Sequence, residues 1–148
     1  MKRKITSIFT LFLVVIFSTI FLFGCKKEEG VVKASVLESG DTLLVIRIDE
    51  TDGNATLYDA MKYLQEKGEI AFESRNDAEG TMLVGINGKK NDDTAWAYWM
   101  SYTSDVELSN EAWGTYEYDG QTLASSAVGM SLLTVKKGCL YIWTYQSF

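Results

Sequence analysis

Only one stretch of this chain repeats its apolar residues at clear helical spacing. Leu57, Ala60, Met61 and Leu64 fall at i, i+3, i+4 and i+7, a stripe along one helix face. Thr56 stands before them as an N-cap with Asp59 three residues on, a variant of the capping box. Gly68 after Lys67 suits the position just past a helix end. The remaining patterned stretches read as strands. One helix from Leu57 to Lys67 must therefore cover a sheet, and strands must supply the rest.

The strands are legible from side-chain alternation. Val31 to Leu37 sets Val32, Ala34 and Val36 on one side. Leu43 to Ile48 sets Leu44, Ile46 and Ile48 one way and Arg47 the other, so the two stretches form a hairpin. Ile70 to Glu73 reads as a short strand, and Thr81 to Ile86 as a strand ended by Asn87-Gly88, a strong turn signal. Asp93 to Tyr102 follows, then a weak alternation from Trp113 to Tyr118 before Asp119-Gly120. Leu123 to Met130 is small and flexible in composition. Ser131 to Val135 reads as a strand, and Cys139 to Tyr145 closes the chain after the Lys136-Lys137-Gly138 turn. The order predicts an α+β fold, a β-grasp-like mixed sheet with one main helix packed on one face. The other face is left to carry aromatic residues.

The first 24 residues stand apart. Met1-Lys2-Arg3-Lys4 is a cationic start, and Ile5 to Phe23 is almost wholly apolar. The run is long enough to be weighed as a membrane span, but its end decides the reading. Leu22-Phe23-Gly24-Cys25 is followed at once by Lys26-Lys27-Glu28-Glu29-Gly30. That junction is similar to the lipobox of bacterial lipoproteins, whose cysteine is diacylated before the chain is cut ahead of it. The expectation is a signal peptide over 1–24, a lipidated Cys25 with a short tether to residue 30, and one domain over 31–148. Two acyl chains provide stable anchoring. The partner is then a bacterial cell membrane, met from its extracytoplasmic side.

Residues 1–24 hold three of the fourteen Lys and Arg and none of the twenty acids, so the remainder carries a net charge of −9. Such a charge opposes nucleic acid as a partner. The chain has no His, which excludes every His-based triad. No Gly-x-Ser-x-Gly elbow and no phosphate-binding loop spacing is present. Acid pairs such as Asp92-Asp93 arise by chance among so many carboxylates. The chain is read as a non-enzyme requiring no cofactor, with no metal site. With Cys25 lipidated, Cys139 is left without a disulfide partner and reads as a buried, inert thiol. The Asp52-Gly53-Asn54 loop lacks EF-hand spacing and reads as a solvated turn.

Aromatic residues crowd the second half. All four Trp and six of the eight Tyr lie between Trp96 and Tyr145. Along Asp93 to Tyr102, a strand would put Trp96, Tyr98, Met100 and Tyr102 on one face and Trp99 on the other. In the last strand Cys139, Tyr141, Trp143 and Tyr145 face away from Leu140 and Ile142. Tyr and Trp pair a broad apolar body with a polar tip, which suits a ligand surface as well as a core. The candidate binding residues are Trp96, Tyr98, Trp99, Met100, Tyr102, Trp143 and Tyr145.

Three motifs in order, Thr56-Leu57-Tyr58-Asp59-Ala60-Met61-Lys62, Gly85-Ile86-Asn87-Gly88 and Trp96-Ala97-Tyr98-Trp99-Met100, resemble the transcobalamin C-terminal-like domain found in bacterial lipoproteins. The closing strand from Gly138 to Tyr145 is similar to the family's closing strand, and the resemblance runs from about Val31 to Phe148. It implies a soluble-ligand-binding β-grasp domain. In the vitamin carriers this domain covers one side of cobalamin, and Tyr98-Trp99 matches a ligand-contacting pair there. Met100 stands where the carriers have glutamine. The function this implies is extracytoplasmic binding of cobalamin, another corrinoid or a similar flat amphipathic molecule, with an importer as the onward partner. The alternative from the residues alone is a surface module whose aromatic face docks a protein or a glycan.

Overall fold

A computed structural model describes residues 30–78 and 80–148. The segment expected to be a signal peptide, the expected lipidation site Cys25 and the residues up to 29 lie outside the described residues. Among the described residues nine strands and one α-helix follow one another: β1 (Val32–Ser39), β2 (Leu43–Thr51), α1 (Leu57–Glu66), β3 (Phe72–Asp77), β4 (Gly80–Ile86), β5 (Lys89–Lys90), β6 (Ala97–Thr103), β7 (Ser109–Tyr118), β8 (Gln121–Ser126) and β9 (Leu140–Ser147). A 3-10 turn, Val106–Leu108, precedes β7. The α+β class holds, with sheet dominating. Six strands form one sheet in the order β1-β2-β9-β6-β8-β7, and β3-β4-β5 form a second. Every ladder is antiparallel, where a mixed sheet was expected. Among the described residues no helix is long and apolar enough to cross a membrane.

The helix forms as its sequence requires. The Thr56 hydroxyl accepts the Asp59 N–H at 3.3 Å, and the Asp59 carboxylate accepts the Thr56 N–H at 2.8 Å. Gly68 takes φ +73°, which lets the chain turn away. Leu57, Ala60, Met61 and Leu64 are wholly buried. They join Val32, Ala34, Leu44, Ile46 and Ile48 from β1 and β2 in the main core. Gly30 sits against Ala55 so closely that a Cβ would lie 2.3 Å from its backbone. The Val31 N–H donates to Asp52 at 3.0 Å, so the chain is docked from Gly30 onward. Asp52 also accepts the N–H groups of Asn54 and Ala55, which makes this acidic loop a self-satisfied turn.

The sheet's second face is not open. Val45, Tyr102, Leu123 and Ile142 form a second buried cluster there, bordered by Met100, Tyr116 and Leu140. The sheet curls until Tyr118 on one edge strand donates to Glu38 on the other at 3.4 Å. No ladder joins these edges, so no barrel closes. The face expected to carry exposed aromatics is thus largely used for packing.

Three local readings change. Ser131 to Val135 is not a strand; it makes only an isolated bridge between Thr134 and Thr56. The stretch from Leu123 to Met130, small and flexible in composition, begins inside a strand: Gln121–Ser126 is β8, with Leu123, Ala124 and Ser125 buried between neighbours where small side chains fit. Cys139 is half-buried at the margin of the main core rather than fully enclosed.

Candidate functional site

A cavity of about 620 Å³ opens between the two sheets, at the outer edge of β6. Its position follows from strand pairing. β8 pairs with β6 only at Tyr102 and Thr103, then splays away. The edge of β6 from Tyr98 to Ser101 is left facing β4 and the segment after β8, and the cavity fills that gap. The exposed edge is blunted by side chains. Asn91 Oδ1 accepts the Trp99 N–H at 2.9 Å while its amide donates to Leu83 O at 2.9 Å. Edge strands need such cover to avoid pairing with foreign chains.

The lining is mainly apolar. Trp99, Trp143, Leu57, Leu83 and Met130 come from the main core, and three exposed side chains border it: Met82, Val128 and Trp113. Trp113 is 61% exposed. It stands on a bulge in β7, where residues 111–114 have no partner between the Asn110–Ser125 and Thr115–Ala124 pairs. Asn110 Oδ1 accepts the Ala112 N–H at 3.0 Å, and Gly114 adopts φ +120°, so the bulge is built by its own residues. Drug-sized ligand sites have this volume and this mix of apolar wall and sparse polar groups.

The residues expected to bind divide. Tyr98, Trp99, Met100 and Trp143 line the cavity. Trp96, Tyr102 and Tyr145 do not. Trp96 is not in a strand. Asp92 and Ala97 exchange backbone hydrogen bonds across a tight loop, Asp92 Oδ1 accepts two further N–H groups, and Trp96 is left exposed at φ +51°. Tyr102 faces the second cluster, its hydroxyl accepting from Gln146 at 3.0 Å. Tyr145 lies over the second sheet, donating to Lys90 O at 3.0 Å with Lys89 Nζ 4.3 Å from its ring centre. Trp99 shares that task. It is 6% exposed, its Nε1 donates to Lys89 O at 2.9 Å, and its ring meets Tyr145 edge-on at 5.5 Å. Trp99 and Tyr145 therefore clamp β5 to the large sheet, although Trp99 also presents surface to the cavity. Met100 reaches the cavity from the strand edge while packing toward the second cluster.

Sequence reasoning missed Trp113 and Arg75 as lining residues. Gly114 next to a lone Trp was the only local signal for the first. Arg75 depends on the pairing of β3 with β4, which sets it opposite Met82 on one face. At the mouth, desolvation raises the Tyr98 hydroxyl above its ordinary value, and its hydrogen bond to Asp93 raises it further.

A second polar cluster lies away from the cavity. Asp105, almost fully buried, receives Lys136 Nζ at 3.0 Å, and Lys136 also pairs with Glu107. The Lys136 backbone N–H donates to the buried Tyr141 hydroxyl at 3.1 Å. Burial pushes the Tyr141 phenol up to about 12, the Lys136 N–H offsetting part of that rise. Hydrogen bonds to Glu107 and Asp105 hold Lys136 above its ordinary value as well. Both groups are raised on folding, so both favour the folded state fully below their unfolded values and lose that contribution as pH climbs through the folded ones. Stability should therefore fall across about pH 10 to 12, with Tyr141 responsible for about 2–3 kcal/mol. Denaturant titrations at stepped pH measure this. Tyr141→Phe should flatten that alkaline fall, and an identical fall in the variant would refute the assignment.

Among the described residues no three His, Cys, Asp or Glu side chains gather as a metal-ligand set. Compared with known proteins, the chain matches no family model, no curated protein and no solved structure.

Proposed function

We propose that this chain is a lipid-anchored, extracytoplasmic binding protein that holds a flat amphipathic small molecule in the cavity between its sheets, with a corrinoid as the first candidate. The observation that carries the reading is the cavity, bordered by the exposed apolar side chains Met82, Val128 and Trp113. Exposed apolar groups that converge on one concavity are the usual sign of a ligand surface. The likeness of the motifs around Thr56, Gly85 and Trp96 to the transcobalamin C-terminal-like domain supports it. So does the succession of hairpin, covering helix and a closing strand set centrally in the sheet, which fits a β-grasp-like arrangement. The Gly24-Cys25 junction supports the lipid anchor.

The ligand contact moves from the expected aromatic row to Tyr98, Trp113 and Trp143. Calorimetric titration of cyanocobalamin into the mature chain tests the reading. Trp113→Ala should weaken binding by ~1–3 kcal/mol, as hot-spot aromatics do. Its melting temperature should stay close to wild type, because Trp113 stands exposed on a bulge. No heat up to millimolar corrinoid would reject the corrinoid candidate. A large drop in melting temperature would make Trp113 a structural residue.

A further inference from the structure

The polar side chains lining the cavity differ in whether they are engaged. The Ser101 and Ser126 hydroxyls bond to each other at 2.7 Å. Thr81 donates to Asn76 at 3.0 Å, and Asn91 is used at both ends by Leu83 and Trp99. Trp99 Nε1 donates to Lys89 O, and Asp93 carries the Tyr98 phenol. Three groups remain, all of them donors: Trp113 Nε1, which stands open to solvent, Trp143 Nε1 and Arg75. Trp143 is 5% exposed, and its Nε1 has no acceptor among the described residues. Arg75 likewise has no ion-pair partner among the described residues. The acids nearest Arg75 along β3 are engaged: Glu73 pairs with Lys90 at 2.8 Å, and Asp77 accepts the Ala78 N–H. A buried donor without an acceptor is costly, and a free guanidinium presents a fork that matches a carboxylate.

We infer that the cavity's ligand is a planar organic acid, its ring body against Trp113 and Trp143 and its carboxylate on Arg75. This rests on the reading of the cavity as a site for a flat amphipathic molecule and, within that class, favours an acid over the corrinoid. The ring body suits the aromatic and thioether lining, since Met82 faces the same side as Arg75 through their cross-strand pairing. The net charge of the chain opposes an anion, so a preference for one must come from Arg75 itself.

Three probes of one shape separate the possibilities: naphthoate, naphthamide and naphthylmethylammonium, substituted at the same ring position. The full chain is held in nanodiscs of zwitterionic lipid and titrated calorimetrically, with empty nanodiscs as the blank. Naphthoate should bind about five- to tenfold more tightly than naphthamide, and the ammonium most weakly. Arg75→Gln should abolish the advantage of naphthoate and leave naphthamide unchanged. Arg75 is exposed, so the variant should fold. The advantage should also shrink between about 0.1 M and 1 M salt, as the screening length falls from ~10 to ~3 Å. Naphthoate binding no better than naphthamide, the ammonium binding best, or an unaffected Arg75→Gln would each overturn the acid assignment while leaving the cavity a binding site. If none of the three binds, the planar-acid assignment is overturned, and cyanocobalamin titrated into the same nanodiscs decides whether the binding-site reading falls with it.

Discussion

Trp99→Ala is expected to lower the unfolding free energy by ~3–5 kcal/mol, the range for deleting a buried aromatic side chain. The ring lies in the main core at 6% exposure, against Tyr145, and its Nε1 is bonded to Lys89 O. Truncation therefore opens a cavity in the core and leaves that carbonyl without its donor. Because Trp99 and Tyr145 hold β5, the loss should be felt first in the small sheet. Amide exchange in β4 and β5 should accelerate more than in β1 and β2. Trp99→Phe retains most of the volume and should isolate the hydrogen bond, at about 1 kcal/mol. Equilibrium unfolding by denaturant gives the totals. A loss below about 1 kcal/mol for the alanine variant would mean that the small sheet is held by other contacts.

Leu64→Ala should cost ~2–5 kcal/mol. Leu64 is wholly buried in the last turns of α1, in the core cluster that joins the helix to β1 and β2. Alanine favours helix, so local propensity offsets little of the loss and the effect reads the packing. Glu66 on the exposed side of the same helix is the control, and Glu66→Ala should change stability by less than about 0.5 kcal/mol. A Leu64→Ala loss as small as the control's would place the wrong face of the helix on the sheet.

Elements whose cause is local are legible in the amino-acid order alone. The helix was legible because its cap, its stripe and its terminal glycine lie within thirteen residues and agree with one another. The alternation of Leu44, Ile46 and Ile48, and of Leu140 and Ile142 against Tyr141 and Trp143, assigned these residues to faces that the two core clusters keep. Asn87-Gly88 and Asp119-Gly120 turn as expected, since all four residues take positive φ. Period-two patterns fail where side chains compete for the backbone. Asp92 bonds the N–H groups of Thr94 and Ala95, so the strand begins at Ala97 and Trp96 leaves the row. β8 was missed because a strand buried between others needs small residues there, and Ala124 and Ser125 carry no periodic apolar signal.

Which aromatics border a cavity was decided only in three dimensions. Alternation tells that Trp99 and Tyr102 point to opposite faces, but not that the curled sheet closes over Tyr102 while the second sheet comes down beside Trp99. Trp113 and Arg75 enter the site from strands that no local pattern links to β6. The cavity exists because β8 pairs with β6 for two residues and then diverges. Pairing partners, curl and splay depend on contacts between residues distant in the chain, so periodicity within a strand carries no information about them.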